Sequence, residues 1–129
     1  IMPRDFILTG SDGWTVPKDM TKPHPRTYGT FPRKLGQFAR KEKILELSAA
    51  IRSMTSLPAE TFNMKGRGKL REGYFADIAI IDLNSVIDKA SFLDPHHYST
   101  GITHLVVNGK LSIENSEFTG DRSGKNLRA

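Results

Sequence analysis

The chain has 129 residues, 37% of them hydrophobic, with 19 basic against 14 acidic side chains, enough for one compact domain but short for any enzyme that closes a large barrel. The net charge of +5 comes from basic residues scattered among acids, with no block of five like charges, so it reads as solvated surface rather than a nucleic-acid footprint. Cysteine is absent, which excludes disulfide staples and thiolate metal sites and fits a reducing cytoplasm; no apolar run approaches the roughly 20 residues of a membrane span, and nothing at the start resembles a signal peptide.

In chain order, the run Phe6-Ile7-Leu8 ends in Thr9-Gly10-Ser11-Asp12-Gly13, the pattern of a buried strand feeding a functional loop, and it predicts a strand at about residues 5–9. Pro17, Pro23, Pro25 and Pro32 crowd the stretch from Trp14 to Arg33, so regular structure is not expected before Phe31. Phe31, Leu35, Phe38 and Ala39 then recur at helical spacing and predict a short amphipathic helix ending near Lys41-Glu42-Lys43. Ser48 is the expected N-cap of a second helix through Met54, and Ser56 that of a third, with Pro58 in its permissive first turn.

After Phe62 the texture changes. Gly66, Gly68 and Gly73 punctuate the chain, and strands are expected at Ala76–Ile81, Ile102–Val107 and Lys110–Glu114. Asn108-Gly109 is a favoured two-residue hairpin turn, because both residues tolerate positive φ. Residues 88–100, with Pro95, His96 and His97, read as a loop, and the polar tail from Gly120 reads as extended.

Few residues have the chemistry of a site. Asp12 stands at the end of the expected strand, where an α/β barrel carries catalytic side chains, and a carboxylate there binds a metal or takes a proton from metal-bound water. An Asp before a Gly also caps turns. His24 and Arg26 alternate with prolines in Lys22-Pro23-His24-Pro25-Arg26, a stiff loop suited to binding, and an arginine fork grips a carboxylate or is held by a surface acid. His96 and His97 are adjacent and do not chelate by spacing, so they read as surface or loop-packing residues, and His104 as a sheet residue. Dinucleotide, P-loop, serine-hydrolase and zinc-finger spacings are absent.

Together these segments resemble the C-terminal part of an amidohydrolase of the N-acyl-D-amino-acid deacylase (D-aminoacylase) type. Thr9 to Gly13 is similar to the family's eighth barrel strand, and His24-Pro25-Arg26-Thr27-Tyr28-Gly29-Thr30-Phe31-Pro32-Arg33 to the deacylase-specific stretch after it. Met54 to Ala59, Gly68-Lys69-Leu70, Gly73 to Ile78 and Val107 to Lys110 resemble the superfamily's generic ending. The resemblance implies an α+β piece of a longer protein: residues 1–63 as the last strand and helices of a TIM-like (β/α)8 barrel, 64–120 as part of a small β-sandwich, and 121–129 as a tail. The start at Ile1, running directly into an apolar segment, is read the same way.

The same resemblance implies a hydrolase acting on non-peptide C–N bonds, cleaving N-acyl-D-amino acids to a carboxylate and a D-amino acid with zinc as cofactor. Asp12 would serve as metal ligand and proton carrier, while Arg26 and His24 would hold the substrate. The zinc histidines belong to earlier barrel strands, so this piece alone is expected neither to bind zinc tightly nor to be active. Its expected partners are the substrate and the missing N-terminal part, with no nucleic acid and no membrane. Open sheet edges imply self-association, or else a poorly ordered first 30 residues. Rival readings are a dihydroorotase-like or hydantoinase-like cyclic amidase and, from another class, a free-standing basic β module that binds an anionic partner.

Overall fold

A computed structural model of the chain describes residues 2–17 and 21–127. Its helical layer begins earlier than the proline content suggested: α1 spans Arg26–Arg33, not starting at Phe31. The cause is local. Pro25 sits at the N-cap with φ −52° and ψ −25°, already helical, and a proline at a helix start forfeits only an N–H that would lack an intrahelical partner. The amphipathic stripe then continues without a break as a π-helical segment, Lys34–Lys41. Its wide turn shows in the Glu42 N–H, which donates to the Gln37 carbonyl five residues back at 2.9 Å. Lys43, at φ +52°, ends the run.

Helix α2 covers Leu47–Met54 and α3 Ser56–Thr61. Ser48 is not the cap of α2: Glu46 occupies that position in an extended conformation, and no side chain caps the end. Thr55, not Ser56, precedes α3, and Pro58 falls in its first turn as expected.

The strand expected at residues 5–9 does not form. A strand is a ladder, and among the described residues nothing pairs with this segment. Its backbone turns instead, Ile7 N–H donating to the Arg4 carbonyl at 3.1 Å, and ties to the helices through Thr9 N–H and the Ser53 carbonyl at 3.0 Å. Phe6 is left 75% exposed.

The β region is a four-stranded antiparallel meander in sequence order: β1 (Ile78–Ile81), β2 (Ile102–Val107), β3 (Lys110–Glu114) and β4 (Glu117–Phe118). β1 begins two residues later than the apolar run suggested. The Asn108-Gly109 hairpin is present, with φ of +49° and +80°, the doubly left-handed turn that matches strand twist. A second hairpin at Asn115-Ser116, φ +49° and +69°, leads to β4, which the sequence reading lacked.

Val86 is a fully buried contact between the helices and the β region. It lies in the connection between β1 and β2 and packs with Leu35, Ala39, Leu45 and Ala50. It reaches that position because two glycines make room: a β-carbon on Gly36 would lie 2.1 Å from the Val86 carbonyl oxygen, and one on Gly101 would lie 2.4 Å from Val86 Cα. Arg40 adds a polar clasp, donating to the carbonyls of Leu83, Asn84 and Val86.

Beside this core lies a buried cation. Lys34 is only 4% exposed, and its Nζ donates to Thr9 Oγ1 at 2.6 Å and to Ser53 Oγ at 2.8 Å. Ser53 in turn donates to the Ala50 carbonyl at 2.6 Å. Burial pushes the Lys34 ammonium below the ordinary lysine range, since desolvation disfavours the charged form.

Two outcomes follow from this packing. Gly36→Ala gains up to about 1 kcal/mol of helix propensity but drives a methyl into a backbone carbonyl, so urea denaturation should show a net loss of about 1–3 kcal/mol; an unchanged or raised midpoint contradicts the clamp. For Lys34, the folded state holds fewer protons than the unfolded state between the depressed pKa and the unfolded value near about 10.4, so its contribution to stability rises with pH in that window. The stability of the unaltered chain relative to Lys34→Met should therefore increase from about pH 8 to about pH 10, and a pH-independent difference would show that the amine is not desolvated.

Candidate active site

The three residues singled out on chemical grounds meet at the N-terminus of α1. The Arg26 guanidinium forks onto Asp12, Nη2 contacting Oδ2 at 2.7 Å and Nε donating to the backbone carbonyl at 2.9 Å. His24 turns back on the same helix end, its Nδ1 accepting from the Arg26 backbone N–H at 3.0 Å. That bond satisfies one of the donors a helix start leaves unpaired. Asp12 sits at φ +49°, a conformation Asp tolerates better than most residues, and Gly13 lets the loop approach Thr27, where an added β-carbon would lie 3.0 Å from Cα.

The carboxylate remains open to solvent, with 76% of the Asp12 side chain exposed. An ion pair this exposed contributes little to stability; its effect is geometric, fixing the direction of a carboxylate whose backbone alone would leave it free. A pocket of about 180 Å³ opens against Asp12, Trp14, His24 and Arg26. On the other side of His24 and Arg26 lies a larger cleft of about 440 Å³, closed by Arg33, Asp88 and Phe92.

The loop between β1 and β2 builds the outer wall. Asp88 pairs with Arg33 at 2.9 Å and lies against Gly29, where a β-carbon would come within 2.7 Å. Phe92 meets the His24 ring edge-on at 4.9 Å between centroids. His96 bridges Tyr28 Oη at 2.9 Å and the Thr21 carbonyl at 2.7 Å. A carbonyl only accepts, so Nε2 carries a proton, and in the neutral ring Nδ1 accepts from Tyr28. His97 pairs with Asp94 at 2.6 Å, and its hydrogen bond holds the Asp94 carboxyl below the usual range.

His96 and His97 thus pack the loop, as their adjacency implied. The roles of Tyr28, Arg33, Asp88 and Phe92 were not legible, because each depends on a partner far along the chain: Tyr28 and His96 are 68 residues apart. Lys34 lies three residues after Phe31 and four before Phe38, at helical spacing within the amphipathic run, and the structure buries it beside Leu35. Among the described residues no group of three or more His, Asp or Glu side chains is arranged to hold a metal ion. The arrangement offers one oriented carboxylate, one arginine fork and an adjoining cleft.

This geometry coincides with a match to the model of the amidohydrolase family over residues 5–113. The chain is 42% identical over 120 residues to a D-aminoacylase of Alcaligenes xylosoxydans xylosoxydans, covering 93% of this chain and 24% of the relative. It is 41% identical to an N-acyl-D-glutamate deacylase of the same organism, covering 84% of this chain and 22% of the relative. The crystal structure of N-acyl-D-glutamate deacylase from Bordetella bronchiseptica, complexed with zinc and a phosphonate inhibitor that mimics the tetrahedral intermediate, superposes with a TM-score of 0.88 at 36% identity, over 99% of this chain and 26% of that one. The chain spans about a quarter of the length of these proteins. With most of its length matched by the family model, the chain belongs to the amidohydrolase family.

Proposed function

We propose that this chain serves in the hydrolysis of the amide bond of N-acyl-D-amino acids, and that Asp12 is its proton-carrying catalytic residue. The observation that supports this reading is the fork of Arg26 on Asp12 at the start of α1, in a chain about 40% identical to D-aminoacylase and N-acyl-D-glutamate deacylase. Water adds to the amide carbonyl carbon and gives up a proton to the Asp12 carboxylate; the tetrahedral adduct then expels the amine as Asp12 returns that proton to nitrogen. The products are a carboxylate and a free D-amino acid. Arg26 suits the substrate α-carboxylate, which competes with Asp12 for the two-pronged fork, and His24, with Phe92 at its edge, lines the way in.

Zinc is bound by a relative. A catalytic zinc site takes about three protein ligands. Among the described residues no group of three His, Asp or Glu side chains gathers around Asp12, and its carboxylate is engaged by arginine. The described residues alone do not fit the ion, so the steps above are confined to Asp12, Arg26 and His24. We further assign residues 1–63 to the end of a hydrolase barrel, 64–120 to part of a β-sandwich, and the activity to the cytoplasm. The change from helices that end at Thr61 to an antiparallel meander that begins at Ile78 supports that division.

In a full-length deacylase carrying this segment in its matching region, Asp12→Asn should lower kcat by about 10²–10⁴ while thermal stability stays close to that of the parent, since the side chain is exposed. Near-normal turnover in the folded variant would remove Asp12 from the mechanism.

A further inference from the structure

The Asp12 chemistry leaves unused the most unusual charge in the molecule, the buried ammonium of Lys34. Its two hydrogen-bond partners, Thr9 Oγ1 and Ser53 Oγ, are neutral hydroxyls, and among the described residues it forms no ion pair. Hydroxyl dipoles solvate a cation without cancelling it, and buried charges in proteins are normally paired. An ammonium has three donors; two are taken.

Lys34 and Thr9 line a cavity of about 320 Å³ whose other walls include Met2, Ile7, Leu8 and Phe38. The volume is at the low end of the range of small-molecule sites. Its chemistry is divided, with one positive charge and hydroxyls from Thr9 and Thr30 set among aliphatic and aromatic walls. A single buried cation matches a single negative charge, whereas a dianion such as phosphate would remain under-neutralised, and the apolar walls favour a ligand that brings hydrocarbon behind its charge.

We propose that Lys34, Thr9 and this cavity form a binding site for a carboxylate carried on a short apolar stem. The carboxylate takes the third N–H of Lys34 and supplies the missing counter-charge, while the stem lies against Ile7, Leu8 and Phe38. The ligand is either a free short-chain acid or the side chain of an aspartate or glutamate in a polypeptide that packs on this face; both present the same group. The site stands apart from the reading of Asp12 and does not depend on it.

The test is calorimetric titration of the 129-residue chain with butyrate, with its neutral isostere butyramide, and with N-acetylglutamic acid α-amide as the side-chain mimic. The expected result is saturable binding of butyrate, with butyramide at least about tenfold weaker because it lacks the charge, and loss of butyrate binding in Lys34→Met. Tighter binding of the glutamate mimic than of butyrate assigns the site to a protein side chain, and tighter binding of butyrate assigns it to a free acid. Equal binding of butyrate and butyramide, or no saturable binding of either acid, overturns the proposal. If Lys34→Met fails to fold by circular dichroism, the comparison of acid and amide on the unaltered chain still decides.

Discussion

The seat of Val86 between Gly36 and Gly101 governs the rest of the molecule, since it is where the helices and the β1–β2 connection become one packed unit. A fully buried valine contributes about 1.5–3 kcal/mol by removal from water, but its directional effect is larger than that figure suggests. Residues 87–100 leave Val86 in a fixed direction and are pinned again by the paired backbone bonds of Ile87 and Thr100. Asp88, Phe92 and His96 are thereby set against Arg33, His24 and Tyr28. Those contacts brace the start of α1, and from there Arg26 reaches Asp12. The site is the far end of a chain of contacts that begins in the core.

This arrangement separates two requirements that the proposed hydrolytic role places on a site. Orientation of the Asp12 carboxylate is met within the chain, by an arginine at the start of a helix whose first backbone N–H donates to His24. Assembly of a metal ligand set is not met among the described residues. An exposed Asp12 and a solvent-facing cleft also leave the charges screened by water, where electrostatic preorganisation is weak. Closure of such a cleft by further polypeptide would strengthen each of these interactions without changing their geometry.

Local signals carried much of the reading. Helical spacing from Phe31 to Ala39 identified the amphipathic run, and Asn108-Gly109 identified the hairpin, because in both cases the determinant lies within a few residues of its effect. Asp12, His24 and Arg26 were legible as chemistry, though their mutual contact was not: nothing in a separation of 14 residues announces a fork. The expectation of a strand at residues 5–9 failed because strand character belongs to a pair of segments, and an apolar run without a partner turns and packs on helices instead. The start of α1 was misjudged for the opposite reason, since prolines counted as breakers also preset the backbone that begins a helix. The wall from Asp88 to His96 had no local signal, and only the fold brings it to the site.

The transmission of order from Val86 to Asp12 is tested most directly by hydrogen–deuterium exchange on Val86→Ala. The amides of Thr27, Tyr28 and Gly29 donate to the His24 and Pro25 carbonyls at 3.0–3.1 Å and so report on the first turn of α1. The account predicts that they lose protection together with residues 87–100, although none of them is a core neighbour of Val86. Retained protection at Thr27 to Gly29 while the β1–β2 connection loosens would contradict it, and would mean that the helix start holds Asp12 without help from the core.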